Sequence, residues 1–224
     1  MTKIKVKKII IFVSLIVIAI LIFFFVKNNY KKFNIGNNIT SKSIKEVENY
    51  ILNINSYKAK IEVEVQSNKN ENKYILMQKF AKPNISKQEV LEPSDVKGIE
   101  TIYNGKDLTI NNSNLGLSSI YENYQYMIDN CLWINSFIED YKECNEDEKA
   151  IREENDEIVM ETKVRKESKY IQYKKLYIDS KTYKPSKMLI QDVNKKTLVY
   201  ISYKEIEIDS LSKEEVLAYA VENI

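Results

Sequence analysis

Residues 57–66 read YKAKIEVEVQ, with an apolar side chain at every second position and a charged or polar one between. A strand places successive side chains on opposite faces of its sheet, so this alternation predicts an antiparallel strand with one buried and one solvated face. The segment before it has another period, because residues 43–54 carry apolar side chains three and four positions apart. That spacing predicts a helix, in which Ser43 and Glu46 are placed as a capping box.

Strand-like segments recur on both sides of the middle of the chain. Turn-forming residues separate them, among them Pro83, Pro93 and the hairpin signal Asn104-Gly105. Short strands joined by tight turns predict an antiparallel meander. The predicted strands cover residues 57–66, 73–80, 85–91, 98–103, 107–110, 158–164, 170–179, 186–192 and 197–208.

A segment with helical spacing separates the two groups of strands. Apolar residues recur at intervals of three and four between Ile120 and Tyr141, so one bent helix or a helical hairpin is expected from Ser118 or Ser119 onward. Residues 211–224 contain helix-forming residues and are expected to be a C-terminal tail with helical propensity. The predicted fold class of residues 43–210 is α+β, a strongly curved antiparallel sheet covered by helices.

The N-terminus predicts a membrane anchor. Residues 9–26 contain no charge and only Ser14 interrupts their apolar run, which is close to the minimum for a helix that crosses a bilayer. A cleavable signal peptide is the alternative, but it would end in small residues, whereas residues 23–25 are all Phe. We therefore expect residues 1–8 to be a cytoplasmic head, residues 9–26 an N-terminal transmembrane helix, and residues 27–42 a spacer.

This arrangement predicts a single-pass membrane protein with the bulk of the chain extracytoplasmic, because eight residues are too few for a cytoplasmic domain.

The charge balance of the exported part limits the classes of partner that it can bind. Seven lysines lie in residues 1–32, which contain no acid, so the rest of the chain carries 27 basic and 32 acidic residues. A mildly acidic domain argues against nucleic acid as a partner.

Enzyme chemistry is also disfavoured by composition. The chain has no histidine, which removes the usual general base and the commonest metal ligand, and its four glycines are isolated rather than grouped in a phosphate-binding loop. We therefore expect no enzyme activity, no cofactor and no metal.

The two cysteines, Cys131 and Cys144, form a disulfide only if the predicted helix ends near Tyr141, since 13 helical residues would span about 20 Å. Free thiols are the alternative, and both remain open.

Several motifs resemble the LolA/LolB lipoprotein-carrier superfamily. They are a strand with IEVEV at residues 61–65, KFAKP at residues 79–83, QEVLEP at residues 88–93 and TIYNGKDL at residues 101–108. The segment from residue 121 to residue 141, with Trp133 inside it, is similar to the clostridial germination lipoprotein GerS and its relatives. The resemblance covers roughly residues 45–208.

The resemblance implies a half-open β-barrel closed by helices, which shelters acyl chains in the carriers. In the germination branch it implies a protein that partners a spore-cortex N-acetylmuramoyl-L-alanine amidase, at the cell surface or in the forespore intermembrane space. Members of that branch carry a lipidated cysteine after the signal sequence, and this chain has none there.

Two functions follow as predictions. The first is a membrane-anchored accessory module that binds a protein partner through an exposed sheet edge or aromatic patch. The second is a carrier-like protein that binds an acyl lipid or a lipoprotein in an apolar cavity. A ligand or partner is expected to contact inward side chains of the first strands and the covering helix, unless these side chains simply form the core. The candidate residues are Ile61, Val63, Val65, Leu76, Val90, Tyr124, Ile128 and Trp133.

Overall fold

The structure, a computed structural model, describes residues 41–66, 71–124, 131–165 and 170–218. The internal contacts divide the chain into two units, Met1–Thr40 and Ser41–Ile224, and every described residue belongs to the second unit. The predicted cytoplasmic head, transmembrane anchor and nearly all of the spacer therefore lie outside the described residues.

One antiparallel sheet of eleven strands dominates the second unit. The strands are β1 (Ser56–Gln66), β2 (Glu71–Ala81), β3 (Ile85–Glu92), β4 (Ile99–Tyr103), β5 (Leu108–Asn112), β6 (Leu117–Tyr121), β7 (Lys149–Glu154), β8 (Glu157–Lys163), β9 (Tyr173–Asp179), β10 (Pro185–Gln191) and β11 (Thr197–Ile208). Their order is β6-β5-β4-β3-β2-β1-β11-β10-β9-β8-β7. The central strand is thus β1, the strand with the clearest alternation in the sequence, and the two edge strands are β6 and β7.

Three short α-helices accompany the sheet in the described part of the chain. They are α1 (Ser41–Leu52), α2 (Ile134–Glu143) and α3 (Lys213–Leu217). The helix predicted over residues 43–54 is confirmed as α1, although it begins at Ser41 instead of Ser43. A capping box is present on α3, where the Ser212 hydroxyl accepts a hydrogen bond from the Glu215 amide and the Glu215 carboxylate accepts one from the Ser212 amide.

The core lies where α1 and α2 pack on one face of the sheet. Tyr57 and Ile61 of β1 are fully buried while the intervening Lys58 and Lys60 are only half-buried, as the alternation predicted. The opposite face carries a smaller contact: Val216 of α3 packs against residues at the end of β2 and the start of β3. One face of β2 therefore contributes to the core, and the other packs against α3.

The predicted fold class, a curved sheet covered by helices, is wrong, because the described chain is mostly one eleven-stranded sheet with few helices. The helical segment expected from Ser118 or Ser119 onward instead begins within β6 (Leu117–Tyr121), and α2 begins only at Ile134. The physical reason is that both faces of β6 are exposed, so burial imposes no strand alternation on its sequence. The edge strand β7 was missed as well, because four of its six residues are charged. The predicted strands of β1–β5 and β8–β11 are present within a few residues.

The predicted single-pass membrane localisation is also contradicted. None of the described helices is long and apolar enough to cross a bilayer. The helix α1, with 12 residues, spans about 18 Å at 1.5 Å per residue, short of a hydrocarbon core of ~30 Å. Residues 9–26, the predicted transmembrane helix, lie outside the described residues.

Candidate functional site

The edge strand β6 exposes all five of its residues to solvent. Its sequence, LSSIY, contains no charge, and the exposed fractions are 63% for Leu117, 66% for Ile120 and 49% for Tyr121. Leu115, in the turn before β6, is a further exposed apolar residue. An edge strand has an unpaired row of backbone N–H and C=O groups, so an apolar, uncharged edge is a template for pairing with another strand.

The opposite edge, β7, has the reverse character. It carries Lys149, Arg152, Glu153 and Glu154, and the guanidinium of Arg152 lies 3.0 Å from the carboxylate of Glu161 on β8. Charged side chains on an edge disfavour strand addition, because a new strand would have to desolvate them. The same sheet therefore has one protected edge and one unprotected edge.

Local interactions hold β6 against β5. The turn between them includes Gly116, which has a φ of +62° that favours glycine. The Ser118 hydroxyl donates to Asn111 Oδ1 at 2.7 Å, and the Asn123 amide after β6 donates to Asp107 Oδ1 at 2.9 Å before β5. Both ends of the strand are thus anchored by side chains of its hairpin partner, and the outer backbone edge stays exposed.

Three of the predicted lining residues form one row across the sheet. Ile61 pairs with Leu76 of β2, which pairs in turn with Val90 of β3. Ile61 and Leu76 are buried, and Val90 is half-buried. Val63 is buried one step further along β1, and Val65 beyond it is half-buried. Their role as ligand-binding residues stays a prediction.

Trp133 lies against the sheet as part of an aromatic group. Its ring centroid is 6.3 Å from that of Tyr57 and 6.5 Å from that of Phe80, and its side chain is buried. The Tyr57 hydroxyl accepts a hydrogen bond from the Ile134 amide at the start of α2. Trp133 is therefore a core residue that packs at the start of α2.

The other predicted residues of this region lie apart from that group. Tyr124 is half-buried, and its carbonyl accepts a hydrogen bond from the Tyr103 hydroxyl at 3.3 Å. Ile128 lies outside the described residues.

Both cysteines, Cys131 and Cys144, are free and partly buried, so no disulfide joins them. Burial raises the pKa of the Cys131 thiol, which keeps it protonated at neutral pH.

A buried hydroxyl interrupts the apolar row of the first strands. Tyr203 of β11 pairs with Ile61, and its hydroxyl has no hydrogen-bond partner among the described residues. Burial raises the pKa of this phenol well above its ordinary value. Tyr203 could not be singled out from the sequence, because a tyrosine on a strand has no signal that separates it from the other strand tyrosines.

A buried ion-pair cluster joins α2 to the sheet. The Lys174 ammonium on β9 lies 2.7 Å from the Asp140 carboxylate and donates to Ser136 Oγ at 2.6 Å. Arg165 binds the same carboxylate at 3.2 Å and also bridges to Glu139 and Glu143. No sequence pattern indicated this cluster, since its members are separated by up to 38 positions. Among the described residues, no three acidic or thiol side chains are grouped to hold a metal ion.

Comparison with known protein families gives a match over most of the chain. The model of the family described as sporulation protein YdcC-like matches residues 6–216. No curated protein matches the chain significantly.

Three solved structures are similar to the chain. The first, of the CwlD amidase from Clostridioides difficile in complex with the GerS lipoprotein, has 27% sequence identity, covers 76% of this chain and 97% of the other, and has a TM-score of 0.47. The LolA superfamily protein NE2245 from Nitrosomonas europaea has 13% identity, 81% and 99% coverage and a TM-score of 0.41. The MucA/MucB complex of Pseudomonas aeruginosa has 13% identity, 80% and 61% coverage and a TM-score of 0.40.

The resemblance to LolA-like proteins and to GerS, expected from the sequence motifs, is found again among these structures. The family match itself spans most of the chain, including all eleven strands and nearly all of the described part. The chain belongs to the family of YdcC-like sporulation proteins.

Proposed function

We propose that this protein is an accessory module of sporulation that binds a partner protein by adding one of the partner's strands to β6. The observation that carries the proposal is the contrast between the two edges of the sheet, since β6 is exposed and uncharged while β7 is charged. Single-domain proteins normally protect their sheet edges, so an unprotected apolar edge marks a site for strand addition.

The geometry of β6 suits an extended segment of a partner. A five-residue strand offers backbone hydrogen bonds along its whole outer edge, and its side chains alternate between the two faces. Leu117 and Tyr121 lie on one face and Ile120 on the other, so a bound strand gains apolar contacts on both faces. Backbone pairing supplies affinity, and these side chains supply selectivity.

The partner to test first is an N-acetylmuramoyl-L-alanine amidase from the same organism. The sequence resemblance implies this partner, and GerS is in a complex with the CwlD amidase. GerS indicates which partner to test, whereas the exposed, uncharged edge of β6 supports the binding itself. In this proposal the module has no catalytic role of its own.

The test is binding of the purified amidase to the full chain, measured by isothermal titration calorimetry. Ile120→Lys places a charge on the exposed edge, whereas Ala150→Lys places the same charge on an exposed position of β7. We expect Ile120→Lys to weaken binding by about tenfold or more and Ala150→Lys to leave it unchanged. Equal affinities for the two variants, or pairing of β6 with a second copy of the chain instead, would overturn the proposal.

The carrier-like alternative ranks second. It requires an apolar cavity lined by the predicted residues, but Ile61, Val63, Leu76 and Trp133 are buried among described neighbours. Acyl lipid that copurifies with the full chain and is lost on Leu76→Asp, in a variant that still folds, would favour the carrier instead.

A further inference from the structure

A crevice along one face of α2 is lined by two lysines that form no ion pair with any residue that the structure describes. It lies between α2 and the turn joining β2 to β3, and has a volume of about 480 Å³. This volume falls in the range of small-ligand sites, roughly 300–1,000 Å³. The turn contributes Lys82 and Pro83, and α2 contributes Asn135, Ile138, Glu139 and Lys142. We call it the lysine crevice.

The charges of Lys82 and Lys142 are not neutralised by the part of the chain that the structure describes. Neither ammonium forms an ion pair with a described residue. Burial lowers the pKa of Lys82, and the nearby charge of Lys142 lowers it further, although Asp209 acts in the opposite direction. The two cations therefore repel each other across the crevice, and an anion between them would relieve that repulsion.

The acids near the lysines are already engaged elsewhere. Asp209 Oδ1 accepts the backbone amides of Asn55 at 2.7 Å and Ser56 at 3.1 Å, which joins the start of β1 to the end of β11. Glu139 accepts from Asn135 Nδ2 at 2.8 Å, and its other oxygen lies 3.2 Å from Arg165. An incoming anion therefore does not have to displace a carboxylate of the protein from either lysine.

The other residues that line the crevice indicate which further groups a bound anionic ligand would carry. Ile138 is buried and Pro83 is exposed, and together they provide an apolar surface beside the lysines. Each oxygen of Glu139 accepts one hydrogen bond and retains a further lone pair, so the carboxylate can accept an N–H from a ligand. Asn135 is nearly buried, which fixes the amide that orients Glu139. A negative group, an apolar side chain and an N–H are the parts of an amino-acid residue at a peptide end.

We propose that the lysine crevice binds a peptide carboxylate, with Lys82 and Lys142 holding the carboxylate, Pro83 and Ile138 contacting the adjacent side chain, and Glu139 accepting the peptide N–H. The carboxylate comes from a peptide C-terminus or from an acidic side chain, which share the same chemistry. This inference goes beyond the proposed function and does not rest on it, because the crevice and β6 are built from different elements.

The test is a titration of the full ¹⁵N-labelled chain followed by NMR, with the Asn135 side-chain amide as the reporter inside the crevice. The probes are N-acetylalanine, which has a C-terminal carboxylate, and N-acetylglutamic acid α-amide, which has only a side-chain carboxylate. N-acetylalaninamide is the neutral control, and inorganic phosphate tests whether any anion suffices. We expect one of the two carboxylate probes to shift the Asn135 signals in a saturable manner, and the better probe identifies the source.

Variants make the assignment specific. Lys82→Gln and Lys142→Gln should each weaken binding of the better probe by about tenfold, because each removes one charge-assisted contact. Lys196→Gln, an exposed lysine in the turn between β10 and β11, removes the same charge away from the crevice and should bind normally. Ile120→Lys should also bind normally, so failure of the β6 proposal is distinguishable from failure here. No shift with either carboxylate, binding of phosphate alone, or equal binding by both lysine variants and the control would overturn the inference.

Discussion

The ammonium of Lys174 on β9 lies 2.7 Å from the carboxylate of Asp140 on α2, and the two side chains are only 3% and 6% exposed. This contact ties α2, which directly follows Trp133, to the half of the sheet that lies away from β6. A charge pair taken out of water is stable only while both partners are present, because either one alone is left desolvated.

Removal of one partner of this pair should therefore be costly. We expect Asp140→Leu to lower the free energy of unfolding by about 3–5 kcal/mol, since it leaves Lys174 buried and unpaired. Urea denaturation of the purified chain measures the loss. The double variant Asp140→Leu/Lys174→Met should lose less than Asp140→Leu alone, because no buried charge then lacks its partner. A double variant that is less stable than the single one would contradict this account of the cluster.

Truncation of Trp133 tests whether this residue belongs to the core or to a binding surface. Because its buried ring packs against both Tyr57 and Phe80, Trp133→Ala should lower the free energy of unfolding by about 3–5 kcal/mol. Trp133→Phe, which keeps an aromatic ring, should lose clearly less. Thermal unfolding followed by circular dichroism distinguishes the two. Unchanged stability of Trp133→Ala with weaker partner binding would instead make Trp133 an interface residue.

The turn between β9 and β10 should make stability depend on pH. Burial raises the pKa of Asp179, but hydrogen bonds from the Thr182 amide and hydroxyl and from the Lys181 amide outweigh it, so the folded pKa is lowered. The unfolded chain then binds the proton first. The stabilisation is fully present above the unfolded pKa of about 3.9 and is lost as the pH falls through the folded pKa.

The matched variant for this turn is Asp179→Asn, which has no titrating group. We expect the difference in unfolding free energy between the native chain and the variant to shrink as the pH falls below about 4. Urea denaturation across that range measures it. A difference that is independent of pH would show that the carboxylate's charge contributes nothing.

Much of the sheet could be predicted from the sequence, and the reason is burial. The alternation in β1 reflects one face packed against α1 and α2, and this burial makes the pattern visible in the residues themselves. The Asn104-Gly105 hairpin was predictable for a local reason: Asn104 Oδ1 accepts the amides of Lys106 and Asp107, and Gly105 has a φ of +97°.

The candidate site was the part that the sequence did not predict. Strand β6 is exposed on both faces, so its position depends on pairing with β5 instead of on an apolar pattern, and Ile120 and Tyr124 suggested a helix by their spacing. The lysine crevice joins Lys82 and Lys142, which are far apart in the chain and meet only because α2 packs beside the turn after β2. Such proximity is set by tertiary packing, and no local motif encodes it.

Amide hydrogen exchange of the full chain with and without the purified amidase tests the central claim most directly. We expect the amides of Leu117–Tyr121 to exchange more slowly in the complex, because a strand added at the edge of β6 takes up its free backbone groups. The amides of Lys149–Glu154 at the opposite edge should be unaffected. A complex that forms without protecting β6, or that protects β7 instead, would contradict the account.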